Sequence, residues 1–243
     1  MKAVILAAGI ASRLRPLTDR LPKCLLEIGG KSLLERTIRG LVDNGLRDII
    51  IVTGYLQEQI VSFVGKKFPE INVSFIYNEK YASTNNIYSL WLVRKQVQHS
   101  DMILLDSDIL FDPELIKTVL NAPYANCLAL NAHPLGEEEM KVVTDEQGQV
   151  QEISKTCDPA TAAGESIGVE KISADYSQAL FSELDRMIRE EKLSHIFYEA
   201  AFQRLIPQGK NFHVIDTSHI FSMELDTPED FRAASGKLPS NLL

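Results

Sequence analysis

With 243 residues, 45% of them hydrophobic and 24% charged, the chain has the size and composition of a globular domain, not of a disordered or fibrous segment. Its 25 basic and 33 acidic residues give a formal charge of −8, which argues against general binding to nucleic acid or to an anionic membrane. Cys24, Cys127 and Cys157 are odd in number and widely spaced, so they suggest neither a disulfide framework nor a zinc site and point to reducing cytoplasm.

The first expected element is a continuous apolar strand over residues 3–8, as in a parallel sheet covered on both faces. Ala7, Ala8 and Gly9 then remove side-chain bulk, so a flat base or a phosphate can approach the backbone. Arg13 and Lys23 follow, one a planar fork and the other a mobile point charge, and a polyphosphate needs both. Two other phosphate-binding patterns fail here. G-x-G-x-x-G cannot be written from Gly9 onward, and a P-loop ending at Gly30-Lys31-Ser32 would need glycine at the position of Leu25.

Ser32 caps the next helix, with Glu35 placed to complete a capping box and Asn44-Gly45 to end it. A strand over residues 49–52 leads to Gly54, where a missing side chain would let the backbone approach a ligand. A helix over 56–68, a strand over 73–77 and a helix over 87–97 continue the rhythm of a parallel α/β sheet. Ahead of that last helix stand Asn85 and Asn86, whose amides can cap it or meet a cytosine edge by donating and accepting at once. Tyr88 and Trp91, spaced i, i+3, suit core packing or an aromatic face for a cationic headgroup. The strand over 102–105 runs into Asp106-Ser107-Asp108, which puts two carboxylates near the crevice where α/β folds bind ligands. Pro113 opens another helix behind Asp112, and residues 128–130 form a further strand.

After residue 131 the rhythm changes. Residues 141–144 and 150–154 flank Asp145-Glu146-Gln147-Gly148 as a hairpin, with Lys141 and Lys155 as candidate clamps for a phosphate. A small, polar loop is expected over 157–165, a strand over 168–172, helices over 176–190 and 199–205, and strands at 214–215 and 221–225. Thr227-Pro228 caps a last helix, with Asp230 at its third position, and the tail after Gly236 is expected to be loose. His99, His133, His195, His213 and His219 form no ligand spacing and read as surface or packing residues.

The stretch Leu6-Ala7-Ala8-Gly9-Ile10-Ala11-Ser12-Arg13-Leu14-Arg15-Pro16-Leu17-Thr18, with Pro22-Lys23 after it, resembles the signature of the nucleotidyltransferase (pyrophosphorylase) superfamily. Members join a nucleoside triphosphate to a phosphorylated sugar or alcohol and release pyrophosphate. Ala11 stands where the family normally has its second glycine, and alanine fits there only with negative φ and room for a methyl beside the phosphates. The run Asn85-Asn86-Ile87-Tyr88-Ser89-Leu90 is similar to bacterial choline-phosphate cytidylyltransferases and related aminoethylphosphonate and inositol-phosphate enzymes. Val52-Thr53-Gly54-Tyr55, Asp106-Ser107-Asp108 and Gly164-Glu165-Ser166-Ile167-Gly168 agree with that subgroup.

The resemblance implies a Rossmann-like α/β fold, a mixed, mostly parallel sheet flanked by helices, in one domain over residues 1–235. Residues 1–131 would mainly bind nucleotide, 132–235 mainly the acceptor, and 236–243 form the tail. It implies Mg²⁺ held by Asp108 and Asp226, with Asp106 near the metal or its waters, and Arg13 and Lys23 stabilising charge at the α-phosphate. Leu6, Ala7, Ala8, Gly9, Ala11, Ser12, Gly54, Tyr81, Ser83, Asn85, Asn86 and Asp106 would contact the nucleotide. Lys141, Lys155, Glu165, Tyr88, Trp91, Tyr198, Glu199 and Glu224 would form the acceptor site. The expected partners are CTP, or another nucleoside triphosphate, and a phosphorylated small-molecule acceptor, phosphocholine above all. Neither nucleic acid nor membrane is expected, the chain would be a monomer or homodimer, and the product would be a cytoplasmic cell-envelope precursor. A sugar-1-phosphate uridylyl- or thymidylyltransferase is the rival within the class. An inactive nucleotide-binding regulatory subunit is the rival outside it, and the intact set of Arg13, Lys23, Asp108 and Asp226 speaks against it.

Overall fold

The apolar strand at the start of the chain becomes the middle of a sheet. In the computed structural model, which describes residues 1–242, β1 (Lys2–Ala7) lies between β4 (Asp48–Thr53) and β6 (Met102–Asp106), parallel to both. Alternate residues serve opposite faces of the pleat. Val4 and Leu6 join one hydrophobic core, and Ala3, Ile5 and Ala7 join another on the far side. The first core is closed by α3 (Asn86–Leu92), α4 (Arg94–Val97), α6 (Ala174–Asp185) and α7 (Glu199–Leu205), the second by α1 (Leu33–Asp43), α2 (Gln57–Lys67) and α5 (Glu114–Asn121). Burial on both faces is what a strand without polar interruption demands.

The sheet runs β10 (Val150–Ser154), β9 (Lys141–Thr144), β11 (Gly164–Ile172), β6, β1, β4, β5 (Asn72–Tyr77), with β8 (Cys127–Asn131) on β11 and β12 (His213–Asp216) on β8. Its centre is parallel, while β11 is antiparallel to β6, β8 and β9. The mixed, helix-flanked sheet expected from the sequence is therefore present. Two short pairs complete it, β2 (Glu27–Ile28) with β3 (Lys31–Ser32) and β7 (Ile109–Phe111) with β13 (Ser222–Glu224). The C-terminal ends of β1, β4 and β6 point the same way, and the loops after β1 and β6 share one crevice.

Several expectations need adjusting. The helix expected over 87–97 breaks at Val93 into α3 and α4. The expected loop over 157–165 is shorter, because β11 already begins at Gly164. Ser32 caps α1 by accepting from the Glu35 amide, yet Glu35 turns its carboxylate to Arg39 and Lys67, leaving the capping box half made. The last helix, α8 (Pro228–Lys237), has the full box between Thr227 and Asp230. As far as Leu242 the tail after it is docked, not loose, and Leu243 lies outside the described residues. Leu242 is buried, its carbonyl accepts from the Arg36 guanidinium at 2.6 Å, and Asn241 donates to Asp112. Buried Arg36 needs acceptors, and the chain end supplies one. Among the described residues no helix is long and apolar enough to cross a membrane.

Candidate active site

The chain leaves β1 through Ala8 and Gly9 into a single 3₁₀ turn at Ser12–Leu14, anchored by buried Leu14. Ala11 precedes it at φ 51°, ψ 51°, so the negative φ expected of this alanine is not observed. The loop keeps the left-handed geometry that suits glycine and holds it by a hydrogen bond from Thr18 Oγ1 to the Ala11 carbonyl, 2.9 Å. Gly54 has a different role from the expected ligand approach. A Cβ there would lie 2.5 Å from the Ala8 carbonyl and 2.6 Å from the Tyr81 Cβ, so its bareness lets the β4 turn pack on the loop.

Residues far apart in sequence converge on this loop. The β7–β13 pair sets Ile109 opposite Glu224, and the Leu225 amide donates to the Asp108 carbonyl, which brings Asp108 beside Asp226. Lys23, on a 3₁₀ turn fixed by buried Cys24 and Leu25, donates to Asp108 at 2.9 Å and to Asp226 at 2.7 Å. Arg13 donates to the other Asp226 oxygen. Carboxylate oxygens of Asp108, Glu224 and Asp226 lie within 4.8 Å of one another, a set of oxygen donors that suits a hard divalent cation. Glu224, expected on the acceptor, belongs to this cluster; Asp106, expected at the metal, does not.

Charges here shift one another's protonation. Burial lowers the Lys23 pKa, but Asp108 and Asp226 outweigh it and the ammonium is held above its ordinary range. Burial works against ionised Asp226, yet Lys23 and Arg13 prevail and hold it low. Glu224, exposed to solvent yet crowded by the surrounding protein, is pushed up to about 8, first by partial loss of water and then by Asp108 and Asp226.

The opposite wall comes from β11 and the start of α7. Tyr198 is buried and its hydroxyl lies 3.1 Å from Glu170 Oε1 and 3.3 Å from Asp106 Oδ2. Burial, then Asp108 and Glu199, raises Asp106 well above the carboxylate range; burial and Glu199 do the same to Glu170. Glu199 is pushed up to about 7 by burial. At the rim, Lys155 pairs with Glu138 at 3.4 Å and sits 4.7 Å from the centre of the Phe197 ring, while Glu138 also reaches Arg13 at 3.6 Å. His133, which read as a surface or packing residue, faces the same space and bonds Glu165 at 2.8 Å.

One cavity of about 1020 Å³ collects Leu6, Ala7, Ala8, Gly9, Ala11, Ser12, Arg13, Lys23, Tyr81, Asn85, Asn86, Asp106, Asp108, Lys155, Glu165, Glu199, Glu224 and Asp226. Asn85 caps α3 from its wall, and Asn86 accepts from the Tyr198 amide, so both amides are also structural. Gly54, Ser83, Lys141, Tyr88, Trp91 and Tyr198 do not line it. Ser83 bonds back to the Lys80 carbonyl. Lys141 is buried and donates to the Lys155 carbonyl, which positions the neighbouring lysine in its place. Tyr88 packs on Trp91, which donates to Asp185 and stacks with Arg94, its neighbour three residues on. Tyr198 stands one layer behind, bonded to the acids. Glu138, Ser166, Phe197 and His133 line the cavity unforeseen, and Glu170 supports it; of these only Ser166 lay in a quoted motif.

A family model described as Nucleotidyl transferase matches residues 2–169. The chain is similar to the choline-phosphate cytidylyltransferase of Streptococcus pneumoniae, 44% identical over 107 residues, a match spanning 44% of this chain and 45% of that protein. It thus spans under half the length of that curated relative. It is also similar to the CTP:phosphoglutamine cytidylyltransferase of Campylobacter jejuni, 26% identical over 238 residues, 89% of this chain and 92% of that one. Among solved structures, CTP:phosphocholine cytidylyltransferase from Streptococcus pneumoniae superposes with a TM-score of 0.81 at 28% identity, covering 98% of this chain and 99% of that one.

Proposed function

The chain belongs to the nucleotidyl transferase family, and from that premise we propose that it transfers CMP from CTP to a phosphorylated small alcohol, releasing pyrophosphate. One observation carries the reading: Arg13 and Lys23 from the first loop meet Asp108, Glu224 and Asp226 at one end of a cavity whose floor is nearly bare backbone. The cytidylyltransferases among its relatives support the choice of nucleotide. The resemblance of the Asn85-Asn86 segment favours phosphocholine within the acceptor class.

In this mechanism an acceptor phosphate oxygen attacks the α-phosphorus in line, the bond to the bridging oxygen breaks, and pyrophosphate carries away the electron pair. No protein nucleophile is needed. The loop from Ala8 to Ser12 lets the nucleotide approach the backbone, and Lys23 and Arg13 exchange carboxylate partners for phosphate oxygens. Lys23 keeps its proton through neutral pH, because its acidic neighbours hold its pKa up. Lys155 meets the acceptor's phosphate at the rim. Asp108, Glu224 and Asp226 fit Mg²⁺ by donor type and would hold it. When bound, the ion supplies neutralising charge beside the α-phosphate.

The test is a matrix of four nucleoside triphosphates against phosphocholine, other phospho-alcohols and sugar 1-phosphates, scored for pyrophosphate with and without EDTA. CTP-dependent release that EDTA abolishes is the expected result. Preference for UTP or dTTP with glucose 1-phosphate would replace the reading, and unchanged rates in EDTA would remove the metal.

A further inference from the structure

The acceptor wall is short of hydrogen-bond donors. Glu170 is fully buried and Glu199 is 5% exposed; Glu170 Oε2 and Glu199 Oε2 have no partner at hydrogen-bond distance, although the hydroxyl of Ser166, 6% exposed, is near enough to Glu170 to favour its ionised form. Glu199 and Ser166 line the cavity. The one tyrosine hydroxyl in reach, that of Tyr198, has a single proton to offer to both Asp106 and Glu170. Buried acceptors left without donors are costly, so a wall of this kind is completed by something that donates.

Aromatic faces are the other way to hold a cation, and a quaternary ammonium depends on them because it has no N–H. The cavity has few to give. Trp91 and Tyr88 are outside it, with Arg94 and Lys80 respectively over their rings. Tyr198 turns its hydroxyl to the acids, Lys155 already lies over Phe197, and Tyr81 lines the cavity from the other side, against the turn of Ala8 and Gly54. Lys155 is also close enough to Glu199 to favour its ionised form. A small zwitterion with its phosphate on Lys155 and its cation on Glu199 would therefore span the rim and the wall.

We infer that this pocket recognises a primary ammonium headgroup, through N–H donation to Glu199, and discriminates against a quaternary one. The inference rests on the cytidylyltransferase reading and replaces its preferred acceptor: phosphocholine was favoured by the resemblance of the Asn85-Asn86 segment alone, and the chemistry of the acceptor wall favours a primary amine instead. Charge alone would not discriminate, since both headgroups carry one positive charge; the difference lies in the number of donors.

The experiment is a methylation series with CTP: phosphoethanolamine, its N-methyl and N,N-dimethyl forms, and phosphocholine, with glycerol phosphate as a neutral hydroxyl-bearing control. In the wild-type protein kcat/KM should fall stepwise along the series, at least tenfold from first to last, with glycerol phosphate also below phosphoethanolamine. Glu199→Gln, which keeps the shape and loses the charge, should flatten the series and leave the KM for CTP unchanged. Phosphocholine used as well as or better than phosphoethanolamine would overturn the inference while leaving the cytidylyltransferase standing, and so would a preference for glycerol phosphate. Absence of pyrophosphate release from CTP with every acceptor would instead overturn the parent reading, and the inference with it.

Discussion

Around the mouth of β1 each cation has acidic partners: Lys23 holds Asp108 and Asp226, and Arg13 holds Asp226 and Glu138. Across the cavity half-buried Asp106 and buried Glu170 share one Tyr198 hydroxyl, Glu199 is buried beside them, and among the described residues none of the three forms a salt bridge. The first wall is electrostatically complete and can exchange partners when phosphates arrive. The second carries buried acids whose pKa values burial raises, with Glu199 Oε2 left without a hydrogen-bond partner. Under the proposed function one fold would treat its two substrates differently, by partner exchange on one side and by buried acids on the other.

The largest expected effect tests the complete wall. Lys23→Ala or Asp108→Ala should lower kcat by about a thousandfold, the scale of losing one preorganised group that stabilises transition-state charge. Circular dichroism should show the fold retained. Rates near those of the unmodified protein would mean that the exchange of partners plays no part in turnover.

Glu199→Gln tests the second wall through stability. Burial raises the Glu199 pKa from 4.5 to about 7, so between these values the folded chain binds a proton that the unfolded chain has released. Stability must then fall as pH rises through that window, by up to about 3 kcal/mol when complete. Glutamine has no charge to desolvate and adds an N–H. Its thermal midpoint should match that of the parent at pH 4 and exceed it at pH 8. Equal midpoints at both would show Glu199 to be compensated after all.

The two walls also differ in how far the sequence discloses them. Residues 6–13 and Lys23 form one continuous pattern, and a small-residue turn after a buried strand is a local signal. Glu170, by contrast, is one charged residue in Val169-Glu170-Lys171, and only its place between β6 and β8 makes it buried. Strand β7 has three residues and pairs with a strand more than a hundred positions away, so nothing nearby announces it. Trp91 and Tyr88 carry the chemistry of a cation site but face Arg94 and Lys80, partners within this chain that their i, i+3 spacing alone does not reveal.

Gly54→Ala is a smaller perturbation, confined to the nucleotide side. The added methyl would sit 2.5 Å from the Ala8 carbonyl, and backbone there cannot give way as a flexible side-chain end would. A loss of about 1–3 kcal/mol is expected, with a raised KM for CTP and an unaltered ranking of acceptors. A change in that ranking would couple the two walls, which the comparison treats as separate.

The smallest effect is expected at Ala11→Gly. Alanine in the left-handed region carries about 1–2 kcal/mol of strain, while glycine gives back up to about 1 kcal/mol through its freer unfolded chain. The difference leaves a gain of roughly 0.5 kcal/mol, or about 1–2 °C in the thermal midpoint of a chain this size. The φ of 51° is already the one glycine prefers, and the Thr18 bond to the Ala11 carbonyl does not involve the methyl, so the loop has no reason to move. Turnover with CTP should therefore be unchanged while the midpoint rises. A lower midpoint would mean that the methyl contributes packing worth more than its strain, and that the nucleotide wall depends on side-chain contact as the acceptor wall does.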